Sequence, residues 1–142
     1  MIIVPYNPAH LESLLLQPAQ AYMRPFFENA EYGKALAIAG KSFTAIDGDR
    51  VLGCAGLIPY WEGRAEAWAL LAKDIKGQFI HIHLAAVRFL DACGFRRVEA
   101  HVDADFGCAK KWIEMLGFEF EGPLKAYTPD GRDCLRYARV RG

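Results

Sequence analysis

The chain has 142 residues, with 17 basic and 17 acidic side chains and a formal net charge of zero. That length predicts one domain, long enough to bury about two-thirds of its unfolded surface. The charge balance gives no electrostatic case for binding nucleic acid or an anionic membrane. Hydrophobic residues make up 53% of the chain and charged residues 24%, which is typical of a globular protein and not of a disordered one.

The cysteines and the N-terminus predict a reduced, cytoplasmic protein. The chain has no C-x-x-C pair and no His at zinc spacing, so we expect no metal site. The first residues lack the basic region and cleavage site of a signal peptide, and no apolar run approaches the roughly 20 residues of a membrane span. The thiols are therefore expected to be free and mostly inert, at Cys54, Cys93, Cys108 and Cys134.

The first third of the chain predicts one strand and several helical pieces. Asn7 followed by Pro8 is a good helix start, because proline is tolerated in the first helical turn. Pro25 is expected to divide the next helical region in two. The predicted elements are a strand over 2–4, a helix over 7–17 and two helical pieces over 19–39.

The middle of the chain predicts three consecutive strands. The first two are joined by Asp47-Gly48-Asp49-Arg50, which is turn chemistry and indicates a hairpin. Gly53 and Gly56 inside the second strand indicate a bulge or a close backbone approach. The predicted strands cover 42–46, 51–60 and 65–72.

The last part predicts two helices and three strands. The stretch 79–93 is apolar almost all round, which is typical of a buried helix, and Gly94 caps it. Gly117 stops a shorter amphipathic helix, since a C-cap needs the left-handed conformation. Phe118 and Phe120 then alternate with glutamates at strand period. The remaining predicted elements are a strand over 97–102, a helix over 107–116 and strands over 118–122 and 133–140.

This order of elements, with the pattern Ala109-x3-Ile113-x3-Gly117-Phe118, resembles the GNAT superfamily of acyl-CoA-dependent N-acyltransferases. The resemblance covers about residues 40–142. It implies an α/β (α+β) fold with a mixed, mostly antiparallel sheet of about six to seven strands, flanked by helices and containing a splayed strand pair. It also implies acetyl-CoA as the acyl donor and a small-molecule or protein amine as the acceptor.

The resemblance places the CoA site at the end of the third strand of the middle region. In the family this strand pairs with the pantetheine arm, and the following turn wraps the pyrophosphate at a helix start. Only Gly77 matches the turn pattern, because Asp74 adds a negative charge and Phe79 adds a ring. Lys73 and Lys76 would partly restore an electrostatic field that favours phosphate, or they are simply solvated loop residues. The implied contacts are Leu70, Leu71, Ala72, Lys73, Lys76, Gly77 and Gln78.

The resemblance also leaves the catalytic groups in question. The family commonly has a tyrosine acid where this chain has Ile113, and an asparagine where it has Phe106. Glu66 matches a carboxylate that deprotonates the amine directly or through water, and burial beside Trp68 would raise its pKa toward that of a base. It is also consistent with a rim carboxylate. Tyr127 is a candidate replacement acid, although such a tyrosine more often only packs its ring.

A second hypothesis is a GNAT-shaped protein without acyl transfer that serves as a binding or assembly component. The chain resembles, more loosely, small proteins of tailed bacteriophages and prophages, including T7-like internal virion proteins. That resemblance rests on the segments 66–68 and 127–131 and on the unusual turn. It implies a homo-oligomer or a virion protein, and the aromatic residues Tyr60, Trp61 and Trp68 would suit either an acceptor pocket or a protein contact.

Overall fold

The computed structural model describes residues 1–14 and 30–141, and these form one seven-stranded sheet with helices on both faces. The strands run in the order β1-β2-β3-β4-β5-β7-β6 across the sheet. Their bounds are β1 Ile2–Pro5, β2 Ser42–Asp47, β3 Arg50–Trp61, β4 Arg64–Leu71, β5 Arg97–Asp103, β6 Glu119–Leu124 and β7 Cys134–Val140. The helices are α1 Pro8–Glu12, α2 Ala30–Ala39, α3 Phe79–Ala92 and α4 Gly107–Met115, and a 3-10 turn, Lys76–Gln78, leads into α3.

The central feature of the sheet is the divergence of β4 from β5. All neighbouring strands pair antiparallel except these two, which run parallel. β4 pairs with β3 from Arg64 to Leu71, but with β5 only at Arg64, Ala65 and Glu66. The two strands separate beyond that point. The predicted mixed, mostly antiparallel sheet with a splayed strand pair is confirmed.

The helix ends follow the predicted sequence signals. Asn7 caps α1, because its Oδ1 accepts a hydrogen bond from the Ala9 amide at 2.9 Å, with Pro8 in the first turn. α1 is shorter than predicted and ends at Glu12. Gly94 and Gly117 have φ angles of +78° and +92°, so both adopt the left-handed conformation that ends a helix. The predicted helical pieces around Pro25 lie outside the described residues.

The two faces of the sheet carry different cores. On one face α1 and α2 pack over β2, β3 and β4, and the buried side chains include Leu11, Leu36, Leu52, Cys54 and Leu70. On the other face α3 and α4 pack over β3, β4 and β5, with Leu57, Ala65, Leu90, Val98, Ala100 and Ile113 buried. Gly56 sits where β3 meets β2, and a Cβ there would lie 2.7 Å from that of Ser42, so the predicted close approach is confirmed.

One prediction about burial is wrong. α3 is not buried all round: Ile82 and Leu90 face the core, while Ile80 and Leu84 are 54% and 44% exposed. The helix covers one face of the sheet, so its outer side contacts solvent despite its composition. On β6, Phe120 is exposed, and the pairing with β7 shifts register between Phe120 and Gly122. Among the described helices, none has the length and hydropathy needed to cross a membrane.

Candidate active site

A cavity of about 1010 Å³ opens where β4 and β5 separate. Its lining includes the consecutive β4 residues from Glu66 to Leu71, whose side chains point alternately to the two faces of the sheet. The cavity therefore reaches both faces. At one end lie Glu66 and His101, and toward the other lie Asp74 and Phe79, at the turn before α3. The cavity thus joins the part of the sheet that holds Glu66 to the turn that precedes α3.

Four side chains from four parts of the chain meet at the first end, and we call them the polar cluster: Glu66, His101, Tyr127 and Arg136. Arg136 Nη1 donates a hydrogen bond to Glu66 Oε1 at 2.9 Å. His101 Nδ1 lies 3.7 Å from the same oxygen. The ring of Tyr127 packs edge-on against the His101 imidazole, with centroids 4.8 Å apart. Sequence analysis predicted Glu66 and Tyr127 as site residues, and the fold brings these two together.

The Glu66 carboxylate is held in its ionised form. Its burial raises the pKa, but the His101 imidazole and the Arg136 guanidinium outweigh that effect and lower the pKa to about 2. Tyr60 donates a further hydrogen bond to Glu66 Oε2 at 3.2 Å. The predicted rise of the Glu66 pKa is therefore wrong. Burial does penalise the charge, but the neighbouring His101 and Arg136 side chains stabilise it by more.

The polar cluster continues into a ladder of alternating charges across the sheet. Glu99 is buried beside β4 and accepts hydrogen bonds from Arg64 and from Arg97, which also binds Glu121. The Arg64 guanidinium holds the pKa of the Glu99 carboxyl below its ordinary value. With Glu66 and Arg136, the ladder holds three arginines and three glutamates, so its charges balance. The ladder therefore joins β4, β5, β6 and β7 without giving this part of the sheet a net charge.

Two buried nitrogen atoms of the cavity have no hydrogen-bond partner within residues 1–14 and 30–141. They are Nδ1 of His101 and Nε1 of Trp68. The Trp68 ring packs edge-on against Tyr6, with centroids 5.5 Å apart. A buried donor without a partner is costly, because it has lost its hydrogen bond to water. Trp68 lines the cavity, so a bound molecule with an acceptor atom would satisfy its Nε1, whereas Nδ1 of His101 faces Glu66 Oε1.

The aromatic residues predicted around the cleft separate into two groups. Trp68 lines the cavity, as an acceptor pocket would require. Tyr60 and Trp61 lie at the end of the β3–β4 hairpin, where both are exposed and both rings contact the Arg64 guanidinium, at 4.6 and 4.4 Å. These two rings therefore flank the polar cluster from the solvent side and hold Arg64 by cation–π contacts.

At the other end lies the turn between β4 and α3, residues 73–79, which we call the loop segment. It contains the predicted CoA contacts Lys73, Lys76, Gly77 and Gln78. Leu70 and Ala72 are buried just before it, and Leu71 lines the cavity. Lys73 and Gly77 are exposed, while Lys76 begins the 3-10 turn. Gln78 donates to Asp47 Oδ2 at 3.3 Å and leaves the α3 N-terminus without a side-chain cap.

Two residues explain the shape of the loop segment. Asp74 has a φ of +61°, and its carbonyl accepts a hydrogen bond at 3.1 Å from Arg50, which also binds the carbonyl of Lys73. Arg50 on β3 therefore fixes the turn. Gly77 points into open space, since a Cβ there would meet no atom within 4 Å. The backbone at Gly77 is consequently accessible to a ligand.

Beside the loop segment, apolar side chains stand where the resemblance implied smaller or polar ones. Phe79 packs edge-on against Trp112 and stacks on His83, at centroid distances of 5.7 and 6.2 Å. The Trp112 indole donates to His83 Nδ1 at 3.1 Å. Ile113 is buried in the core and has no proton to donate. His83 therefore packs between Phe79 and Trp112.

The cysteines and acidic groups add no further chemistry. Burial raises the pKa of the Cys54 thiol to about 11, and its sulfur lies 3.6 Å from the Thr44 hydroxyl. Cys134 is also buried, whereas Cys93 is half-buried and Cys108 is exposed. Over the described ranges, no group of three or more His, Cys, Asp or Glu side chains is arranged to hold a metal ion.

Sequence analysis missed His101 and Arg136. His101 lies on a strand that alternates polar and apolar residues, Arg97 to Asp103, whereas Arg136 lies on Cys134 to Val140, which shows no such alternation. The alternation indicates a half-buried sheet face, and the charged half of β5 includes Glu99 and His101. That signal was present in the sequence. What was missing was the pairing of β5 with β4 and β7, which brings these residues beside Glu66.

Comparison with known proteins supports the fold. The sequence matches no protein-family model and no curated relative. The structure matches an aminoglycoside 6'-acetyltransferase type Ii with a TM-score of 0.74 and 16% identity, covering 99% of this chain and 97% of that one. It also matches a spermidine N-acetyltransferase chimera from Vibrio cholerae and hSSAT, with a TM-score of 0.71 and 20% identity, covering 99% and 96%.

A third match is a ribosomal-protein-alanine N-acetyltransferase from Brucella melitensis, with a TM-score of 0.70 and 18% identity, covering 99% of this chain and 100% of that one. The three proteins are named for different acceptors. At these identities the likeness establishes architecture, so the chain has the GNAT fold. Activity must be argued from the residues of its own cavity.

Proposed function

We propose that the protein transfers an acetyl group from acetyl-CoA to an amine, either a small molecule or a protein amine. The observation that carries this proposal is the cavity through the β4–β5 splay, with the polar cluster at one end and the loop segment at the other. A thioester held in such a cavity can meet an amine that arrives from the opposite face. The fold is that of N-acetyltransferases, which supports the same reaction.

The loop segment supports binding of the CoA end. Gly77 leaves room for close backbone approach, and α3 begins beside it without a side-chain cap, so its first amides can donate to a phosphate. Lys73 adds a positive charge at the surface. Asp74 opposes it, which predicts weaker binding than a basic turn would give. On this proposal Leu70, Leu71 and Ala72 position the pantetheine arm along β4.

The polar cluster supports the chemistry at the amine end. Ile113 cannot protonate the thiolate that leaves, so another group must do so. Tyr127 is our candidate, because its ring already packs against His101 beside the cavity and its hydroxyl is a proton donor. Electrostatic help to the thioester carbonyl would come from backbone amides near Leu71. The reaction would take place in the cytoplasm.

Isothermal titration of the purified protein with acetyl-CoA and with CoA tests the proposal. Saturable binding in the micromolar range is expected, and we expect acetyl-CoA and an amine to release free thiol, followed with a thiol reagent. Suitable amines are spermidine, an aminoglycoside and a peptide with an N-terminal alanine, since the fold is shared with enzymes named for these acceptors. Absence of heat at millimolar acetyl-CoA would contradict the proposal.

That negative result would instead favour a second function, a GNAT-shaped binding or assembly component, as in a phage virion or a homo-oligomer. The observation in its favour is the replacement of family groups along the cavity. Phe79, Phe106 and Ile113 stand where the resemblance implies almost no side chain, an amide and an acid, respectively. Light scattering of the same protein sample would then measure whether it self-associates.

A further inference from the structure

We propose that His101 is the group that takes the proton from the acceptor amine, and that Glu66 positions it for this task. The inference rests on the proposed acetyl transfer and assigns its base. Sequence analysis had placed that role on Glu66 alone. The geometry of the polar cluster distributes the two roles over two residues on adjacent strands.

The first step is the position of the imidazole. His101 lies on β5 just beyond the last residue pair with β4, so its side chain stands where the strands have begun to separate. It lines the cavity, and its side chain is 30% exposed. A base for an incoming amine needs this combination of contact with the cavity and protection from bulk water.

The second step is the tautomer. Nδ1 of His101 is buried without a hydrogen-bond partner in the described part of the chain, and it faces Glu66 Oε1 at 3.7 Å. An ionised carboxylate only accepts hydrogen bonds, so the proton of the neutral ring belongs on Nδ1. A movement of less than about 1 Å would close this gap to hydrogen-bond distance. Nε2 is then left with a lone pair.

The third step is the difference between the two candidate bases. Glu66 is bound by Arg136 and Tyr60, and its pKa of about 2 makes it a weak proton acceptor at neutral pH. A neutral imidazole carries a free lone pair on one ring nitrogen, which can accept a proton. The charge of Glu66 is therefore better suited to stabilising an imidazolium than to removing a proton itself. Tyr127, packed against the ring, restricts its rotation.

Other ionisable groups face this site and bear on its pH dependence. They are Glu66 on β4, Glu99 and Asp103 on β5, Arg136 on β7, Tyr127 after β6, Tyr60 on β3 and Tyr32 on α2. Arg136 already binds Glu66 and lies 3.6 Å from Glu99, and Asp103 binds Arg132 at 2.8 Å. Burial and the Glu66 charge raise the pKa of Tyr32, so it stays neutral.

The proton balance is as follows. The acceptor arrives as an ammonium ion and gives one proton to His101 Nε2, which becomes an imidazolium beside the Glu66 carboxylate. The neutral amine then attacks the thioester carbonyl, and a C–N bond forms. As the C–S bond breaks, the nitrogen loses a second proton, which passes through Tyr127 to the thiolate. The imidazolium releases its proton to water, so each turnover yields amide, thiol and one free proton.

The test is the pH profile of kcat/KM for three variants, with acetyl-CoA and whichever of the three amines is acetylated. His101→Gln is expected to lower kcat/KM at pH 7 about 100-fold, the lower end for a lost general base. It should also abolish the decrease in kcat/KM at acidic pH (the acidic limb of the profile). The Kd for acetyl-CoA should stay unchanged. Glu66→Gln should keep the limb but shift it to lower pH, because an imidazolium is less stable without the carboxylate. His81→Gln, an exposed histidine on α3, is the matched control and should leave the profile unchanged.

The reverse pattern would overturn the inference. If Glu66→Gln removed the limb and His101→Gln kept it, Glu66 would be the base. If His101→Gln stayed within threefold of wild type, His101 would have no such role, although the wild-type activity would still support acetyl transfer. Absence of both binding and turnover in the wild type would overturn the proposed function itself. Should His101→Gln unfold, His101→Asn takes its place, and its thermal midpoint confirms that it is folded.

Discussion

The two ends of the cavity differ in how the chain builds them. The loop segment is a single run of residues between β4 and α3, fixed by Arg50 from the neighbouring strand. The polar cluster instead collects residues that are up to 70 positions apart in the sequence, and its central contact joins Glu66 to Arg136. One end is local and depends on backbone shape. The other is assembled by strand pairing and depends on side-chain charge.

This difference separates binding from chemistry. The loop segment can hold a phosphate with backbone amides, so replacements such as Asp74 and Phe79 weaken it without removing its donors. In the polar cluster, backbone amides cannot replace a lost side chain, because each function depends on one particular side chain. We therefore expect changes in the loop segment to alter the affinity for acetyl-CoA, and changes in the polar cluster to alter turnover and stability. Four variants test that division.

The largest expected effect is that of Gly77→Val on binding. A Cβ at this position meets no atom within 4 Å, and the backbone here is not left-handed, so the fold should tolerate the change. It would, however, fill the space through which a pyrophosphate approaches the backbone. We expect saturable acetyl-CoA binding to disappear in calorimetry, with the thermal midpoint within about 2 °C of wild type. Unchanged binding by a folded variant would remove the loop segment from the site.

The same contrast explains what sequence analysis could and could not predict. The strands and helices were predicted because their signals are local: Gly94 and Gly117 end helices, and the turn after Asp47 forms a hairpin. Gly77 and Lys73 were instead placed by the resemblance to the family. The exposed side of α3 was not predicted, since it depends on how the helix lies on the sheet.

The polar cluster marks the limit of such reasoning. Glu66 and Tyr127 were named from their positions relative to family motifs, but the sequence contained no information that His101 and Arg136 stand beside them. That information lies in the register of β5 against β4 and β7. The predicted direction of the Glu66 pKa change was wrong for the same reason. Burial, which raises the pKa, was predicted, but the two side chains that lower it, His101 and Arg136, were not.

The next effect is the loss of stability in Glu66→Gln. The folded pKa of about 2 lies below the ordinary value of 4.5, so the carboxylate contributes stability above about pH 5 and loses it as pH falls toward 2. That contribution is about 3 kcal/mol at pH 7. Urea unfolding should therefore give a lower free energy of unfolding for Glu66→Gln at pH 7, with a gap to wild type that narrows by pH 3.

Glu62→Gln is the matched control for this experiment. Glu62 is exposed in the turn between β3 and β4, so its change should leave the free energy of unfolding and its pH dependence unaltered. A gap between wild type and Glu66→Gln that stays constant from pH 7 to pH 3 would mean that lost packing, and not the charge, accounts for the effect.

A smaller effect is expected for Phe79→Ala, which tests whether the loop end is partly filled by a ring. The Phe79 ring is half-buried against Trp112 and His83, so its removal should cost about 2 kcal/mol, less than for a fully buried ring. It should also widen the cavity beside the loop segment. We expect the Kd for acetyl-CoA to fall by up to about tenfold, or about 1.4 kcal/mol.

Phe95→Ala provides the comparison, because Phe95 is also half-buried but does not line the cavity. It should lose similar stability without any change in the Kd for acetyl-CoA. Weaker binding by Phe79→Ala would instead mean that the ring contacts the ligand, and that the position has been adapted and not degraded.

The smallest effect should come from Glu121→Gln at the outer end of the charge ladder. Glu121 is 39% exposed and binds the half-exposed Arg97, through an Nη1–Oε2 hydrogen bond of 2.9 Å. Exposed ion pairs contribute about 0–1 kcal/mol, and salt screens them. We therefore expect a change of at most about 0.5 kcal/mol in the free energy of unfolding, which vanishes in 1 M NaCl, and wild-type turnover. A large loss of turnover would mean that the ladder transmits charge to the polar cluster, so that the chemistry extends across β5 to the far edge of the sheet and is not confined to His101 and its neighbours.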